Sequence, residues 1–162
     1  MTLSIGDRLP DATFLEMGAD GPGEVASGPL LAGRKVVMFA VPGAFTGVCT
    51  ASHVPSFVRA AEGLRGRGVD EIACVAVNDP FVLGAWAETT GAAGAGIRML
   101  GDAQGAFTRA VGMDFSNPAR GLIGRSKRYA MLVEDGVVTV LNVEANPGAC
   151  DISSGEAMLS GM

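Results

Sequence analysis

Long hydrophobic runs are missing from this chain. The longest apolar stretch, Val36–Val41, falls far short of the roughly 20 residues a membrane-crossing helix needs. Cysteine is scarce. The three residues, Cys49, Cys74 and Cys150, are an odd set, unlike the even sets of small disulfide-stapled secreted domains. No Cys-x-x-Cys pair occurs: Thr46 and Ser52 stand three residues either side of Cys49, which argues against a dithiol oxidoreductase. There is one histidine, His53, and no cluster of His, Cys and carboxylates at ligand spacing. No metal and no organic cofactor is therefore expected. A Gly-Lys-Ser/Thr phosphate loop is also absent. Positive charge is in deficit, with 12 Lys and Arg against 17 Asp and Glu, a net charge of -5 and a pI of about 4.8. A broad nucleic-acid-binding surface is not expected. The first 15 residues carry Asp7 and Asp11 and no apolar core of a signal peptide. A reducing, cytoplasmic setting is the expectation, and there the interest of cysteine shifts from staples to reactivity.

What is present is a foldable chain. Its 162 residues suggest one domain, 1–162. The hydrophobic fraction of 48% and mean hydropathy of +0.34 exclude intrinsic disorder. No period of tens of residues repeats. The 24 glycines follow no fibre period and suggest many turns.

Gly18–Gly33 reads as an early loop. Lys35–Val41 is continuous and β-branched, the mark of a strand buried on both faces, and it stops at Pro42-Gly43. From Ala51 to Gly68 the spacing of Val54, Phe57, Val58, Ala61 and Leu64 predicts a helix with one apolar face. Glu71–Val77 is a second buried strand. Asp79 and Pro80 then open a helix to about Thr90. Ile97–Leu100 is a short strand. Asp102 is expected to cap a third helix that buries Phe107, Ala110 and Val111 and ends at Gly112. Tyr129–Glu134 and Val137–Val143 form a hairpin through Asp135-Gly136. Ser153 and Glu156 have capping-box spacing for a last helix. The order predicts an α/β fold, with a central mixed sheet, helices on both faces and an N-terminal extension, in a thioredoxin-like arrangement.

Ligands of such sheets bind beyond the carboxyl ends of the strands. The first buried strand ends at Val41, and Pro42–Thr50 leads from it into the first long helix. Cys49 is thus expected in that helix's first turn, where free N–H groups and the helix dipole favour an anion. On position alone, a small buried apolar residue is as good a reading.

The residues around it narrow the choice. The pattern Pro42-x-x-x-Thr46-x-x-Cys49 resembles the active-site signature of the peroxiredoxins. The stretches PGAFTGVC, His53–Phe57, Cys74–Val82, Lys127–Gly136 and Leu141–Glu144 resemble the peroxiredoxin 5 and plant type II subfamily, over roughly Ile5 to Leu159. The resemblance implies a thiol-dependent peroxidase that reduces hydrogen peroxide and alkyl hydroperoxides. In that reading Cys49 is the peroxidatic cysteine and becomes a sulfenic acid. Thr46 contacts the thiolate and holds the peroxide, Pro42 shields the site, and Arg128 stabilises the developing charge. Arg125 is a near neighbour, but Arg128 directly precedes a strand. His53, four residues after Cys49, is either a base or a packed histidine. The relatives often carry Pro where Gly47 stands, so the loop that must unwind is expected to be looser here.

A sulfenic acid needs a second thiol for recycling. Cys150, in a loop expected to be exposed and mobile, and Cys74, in a buried strand, are the candidate resolving residues. Otherwise an outside thiol, glutathione with glutaredoxin or thioredoxin, does the work. A peroxide-responsive sensor or holdase that binds a partner after Cys49 oxidation is the competing reading. The resemblance further implies a homodimer, with Phe45, Phe81 and Leu122–Ile123 as its candidate face.

Overall fold

A computed structural model describes residues 1–162. Seven strands form one mixed sheet in the order Gly21–Ala26 (β2), Thr13–Gly18 (β1), Arg98–Gly101 (β5), Glu71–Ala76 (β4), Lys35–Ala40 (β3), Tyr129–Glu134 (β8) and Val137–Val143 (β9). Its centre is β3 (Lys35–Ala40), parallel to β4 (Glu71–Ala76), which is parallel to β5 (Arg98–Gly101). The hairpin β8 (Tyr129–Glu134) and β9 (Val137–Val143) adds antiparallel to the other side of β3. Its turn uses Asp135 and Gly136, at φ 49 and 79. Both are left-handed, the tight hairpin geometry expected of Asp-Gly.

The central strands are buried on both faces, and their period of two sorts side chains between two cores. Val37, Phe39 and Val41 join Ile72, Cys74, Ala76, Ala130 and Leu132 on one face. Helices α2 (Val54–Gly66), α3 (Pro80–Thr90) and α5 (Gly155–Gly161) cover that face through Phe57, Leu64, Leu83, Trp86 and Met158. Val36, Met38, Ala40, Val75, Tyr129 and Met131 face the other way, against Leu30, Leu31 and Phe107. These last come from the short helices α1 (Ser27–Leu31) and α4 (Ala106–Ala110). Asp79 caps α3 as expected, accepting from the Val82 N–H at 2.9 Å.

Three expectations need correction, and one hairpin had no forecast. Gly18–Gly33 is not a loop: β1 (Thr13–Gly18) and β2 (Gly21–Ala26) form a hairpin that leads into α1, and β1 extends the sheet beside β5. A second hairpin, β6 (Asp114–Asn117) and β7 (Leu122–Ser126), stands apart as a two-stranded sheet. Ala110 is exposed, because α4 is one short turn. Its first residue follows Gly105, and Asp102 caps it from further upstream, accepting from Phe107 and Thr108 N–H at 3.2 and 2.8 Å. The last helix is capped by Ser154, which accepts from the Ala157 N–H, while Ser153 is drawn to Glu144. Glu156 pairs instead with Arg59 at 2.9 Å.

Candidate active site

Beyond the carboxyl end of β3 the chain runs through buried Pro42 and Gly43 to a wide turn. Cys49–His53 is one π-turn that leads directly into α2. A π-turn inserts an extra residue into helical winding and is often found at functional sites. Two bonds tie its start down. The Thr50 N–H donates to the Thr46 carbonyl at 3.0 Å, and Trp86 Nε1 donates to Thr50 Oγ1 at 3.0 Å.

The turn brings Cys49 and His53 to the same place, and both are fully buried. Arg128 meets them there. It sits one residue before β8, where the ladder already runs, since the Glu144 N–H donates to its carbonyl at 3.0 Å. Strand alternation puts its side chain on the face of Ala130 and Leu132, toward the π-turn. Arg128 is 2% exposed, and its guanidinium distributes its donors in three directions. Nη2 donates to Cys49 Sγ at 3.1 Å, Nη1 to His53 Nδ1 at 2.9 Å, and Nε to the Pro147 carbonyl at 2.9 Å.

This arrangement fixes the histidine tautomer. The guanidinium can only donate, so Nδ1 is the bare nitrogen. The other nitrogen, Nε2, lies 2.9 Å from the Ser153 carbonyl, which can only accept, so Nε2 carries the proton. Burial first, and the adjacent Arg128 charge second, hold His53 down to about 3, against an ordinary 6.5. It is a neutral imidazole with both nitrogens in use. It is therefore not free to act as a base, and of the two readings the packed histidine is the one the geometry supports. Its ring lies at 5.0 Å from Phe39 and 5.7 Å from Phe57, which stack on each other at 4.0 Å.

Arg128 makes no ion pair with a carboxylate. A buried cation without a counter-charge is costly. The one neighbour that can supply negative charge at bonding distance is the sulfur of Cys49. The geometry thus sets the buried guanidinium charge directly against that sulfur.

Thr46 lies on the loop before the π-turn. Its hydroxyl donates to the Gly43 carbonyl at 2.7 Å, leaving the oxygen lone pairs free to accept. Arg125 reaches the same loop from β7, donating to the Pro42 carbonyl at 3.1 Å, and Asn78 Oδ1 accepts from the Ala44 N–H at 2.9 Å. The grip of Asn78 on the loop has no sequence signal.

The other thiols differ. Cys74 lies on β4 opposite Phe39, in the same apolar core as Cys49. Burial, then the nearby Cys49, push its thiol well above the usual range. Cys150 is half-buried rather than exposed. Burial raises it too, partly opposed by the Ser153 hydroxyl and by Arg128. Its loop is not loose. Glu144 Oε2 accepts from the Asp151 N–H, the Ser153 N–H and the Ser153 hydroxyl at 2.8, 2.8 and 2.6 Å.

A redoxin family model matches residues 4–159. A chloroplastic peroxiredoxin-2E-2 of rice is 49% identical over 165 residues, covering 99% of this chain and 73% of its own. This chain is a peroxiredoxin of the type II and peroxiredoxin 5 group. Among solved structures, a reduced Prx3 from Vibrio vulnificus in complex with hydrogen peroxide is 42% identical, with a TM-score of 0.91 and 99% of each chain covered. Peroxiredoxin 5 from Alvinella pompejana is 33% identical, with a TM-score of 0.84 and 98% and 96% of the two chains covered. The peroxiredoxin has the expected thioredoxin-like fold and is a thiol-dependent peroxidase.

Proposed function

We propose that Cys49 is the residue that reduces the hydroperoxide, and that Arg128, Thr46 and Pro42 form its site. The observation that carries this is the 3.1 Å bond from Arg128 Nη2 to Cys49 Sγ inside a fully buried pocket. The thiolate sulfur attacks one peroxide oxygen. The O–O bond breaks, the sulfur keeps one oxygen as sulfenic acid, and the departing oxygen takes up the proton that the thiol released on ionising and leaves as water or alcohol. Arg128 faces the charge that builds up on the oxygens. The Thr46 hydroxyl accepts from the peroxide O–H. Pro42 and the burial of Cys49 keep water out.

Recycling then needs a thiol. We favour an outside one, glutathione with glutaredoxin or thioredoxin. Cys74 is locked in a central strand and Cys150 in a loop pinned at Glu144. A cytoplasm-like reducing compartment would supply it and suits three free cysteines. A homodimer is the favoured assembly. Phe45, Phe81 and Ile123 are 54%, 67% and 63% exposed, and Phe45 adopts φ 62, which is unusual for a side-chain-bearing residue. Equilibrium sedimentation that found only monomer at high concentration would remove this assembly.

The test is mass mapping of reduced protein after one equivalent of hydrogen peroxide, with a sulfenic-acid trap. Trapped sulfenic acid on Cys49 with Cys74 and Cys150 free is expected. A Cys49–Cys150 disulfide would instead make the enzyme self-resolving. Peroxide consumption undiminished in Cys49→Ser would overturn the assignment.

A further inference from the structure

Arg125 is a half-buried cation that forms no ion pair. It stands on β7, in the small sheet that joins no other strand, opposite Phe115. Its one protein bond is Nη1 to the Pro42 carbonyl, at 3.1 Å across 83 residues of sequence. A guanidinium committed to a single backbone carbonyl, with no carboxylate, is not explained by charge pairing.

Gly43 shows where that guanidinium lies. A Cβ at Gly43 would collide with Arg125 Nη1 and come to 3.5 Å from Thr46 Cγ2. The guanidinium therefore meets Gly43 end-on, with Nη1 foremost, on the same side as Thr46. The Gly43 carbonyl in turn accepts the Thr46 hydroxyl at 2.7 Å. The chain of contacts runs from Arg125 to the Pro42–Gly43 peptides, to the Gly43 carbonyl, to the Thr46 oxygen.

We propose that Arg125 is a positioning residue for peroxide attack. It fixes the Pro42–Gly43 backbone and thereby aims the Thr46 hydroxyl, and Gly43 is glycine to admit the guanidinium. This rests on the Cys49 assignment above. With the guanidinium in place, the Thr46 hydrogen is held by Gly43 and its lone pairs face the peroxide. Without it, the Pro42–Gly43 peptides are free to rotate and the hydroxyl loses its fixed direction. Small misplacements of a substrate-orienting group are costly in rate.

The test is stopped-flow oxidation of the reduced full chain by hydrogen peroxide. The single tryptophan, Trp86, reads it through its bond to Thr50, next to Cys49. Arg125→Ala is expected to lower the attack rate roughly tenfold or more. Arg125→Lys, which keeps one N–H donor for Pro42, is expected to recover most of it. Gly43→Ala, which evicts the guanidinium, is expected to fall as far as Arg125→Ala. The double variant Gly43→Ala with Arg125→Ala is expected to be no slower than the worse single. The midpoint of the pH–rate profile should stay where it is in all of them. Wild-type attack by Arg125→Ala would overturn the proposal. So would multiplying losses in the double variant, or a moved pH–rate midpoint that accounts for the loss as a charge effect. Should Arg125→Ala fold poorly, the Lys and Gly43 variants carry the same comparison. Failure of the Cys49 assignment is separate: Cys49→Ser would then still react with peroxide.

Discussion

Lowering the pH from about 7.5 to about 5 is expected to remove about 2 kcal/mol of folding stability through one imidazole. His53 titrates at about 3 in the fold and at an ordinary 6.5 when unfolded. Between those values the unfolded chain binds a proton that the native chain refuses. Stability is therefore complete above 6.5 and falls as the pH drops toward 3. At about pH 5 the unfolded imidazole is almost wholly protonated and the native one almost wholly neutral, which gives the figure above by linkage. The attribution is clean because His53 is the only histidine. Glu144 adds little there, since a carboxylate is still mostly ionised in both states. The assay is urea unfolding of reduced protein at the two pH values, followed by Trp86 fluorescence, for wild type and His53→Gln. The variant loses ring contacts with Phe39 and Phe57, so its absolute stability falls. Its pH dependence over this window should nevertheless nearly vanish. A wild-type loss below about 0.5 kcal/mol, or an equal loss in His53→Gln, would refute the neutral, doubly bonded histidine.

The remaining predictions concern the two charged groups that hold the site. Arg128→Lys cannot serve Cys49, His53 and Pro147 at once, because an ammonium is a point donor and not a fork. Peroxide attack, measured by stopped flow, should fall roughly a hundredfold or more, and the pH–rate profile should move to higher pH. A change under about threefold would show that the fork is dispensable. Glu144 is 7% exposed. Burial opposes its charge, but the Ser153 hydroxyl, the Ser153 and Asp151 N–H groups and the Arg128 charge outweigh it and hold the carboxyl below its usual range. Its contribution is present above the unfolded value and lost as the pH falls through the lowered native one. Glu144→Ala strands three donors and should cost about 2 kcal/mol at neutral pH in the same urea assay. It should also speed alkylation of Cys150 severalfold, and an unchanged rate would mean the loop is held by something else.

The parts of the fold legible in the sequence are those whose burial is two-sided or whose turns are chemically marked. β3 and β4 read as strands because apolar residues run without interruption through VVMFA and IACVA, and β8–β9 because Asp-Gly sits between two apolar runs. The N-terminal hairpin was not legible. Its second strand, Gly21–Ala26, is GPGEVA, mostly exposed, and lies at the sheet edge. Pairing to β1 overrides a composition that locally signals a loop. The β6–β7 hairpin hides for a related reason, as two short half-exposed strands round a Pro118–Arg120 turn. The cap of the last helix slips by one residue because Ser153 and Ser154 are equally good caps, and Glu144, nine positions upstream of Ser153, decides between them.

The site divides along the same line. Cys49, Thr46, Pro42 and Arg128 could be picked out by spacing and resemblance, and the buried Cys49–Arg128 contact joins two of them directly. What spacing could not carry is the role of His53. Its place four residues after Cys49 suggests a base poised beside a nucleophile. Its actual partners are Arg128 and the Ser153 carbonyl, 75 and 100 residues away. The second of these is a backbone oxygen, which leaves no mark on the residue type. The same holds for Pro147 under Arg128 and for Pro42 under Arg125. In each case a charged or polar side chain is bound by a main-chain carbonyl whose direction is set by folding. A buried guanidinium bonded to one carbonyl and a neutral imidazole keeps its remaining donor and its charge for the Cys49 sulfur. Had Glu144 been the direct partner of Arg128, the cation would already be neutralised, and the sulfur would face a weaker field. The Glu144 carboxylate instead bonds Asp151 and Ser153, one layer out. This separation, which no linear motif encodes, leaves the Arg128 charge available to the cysteine.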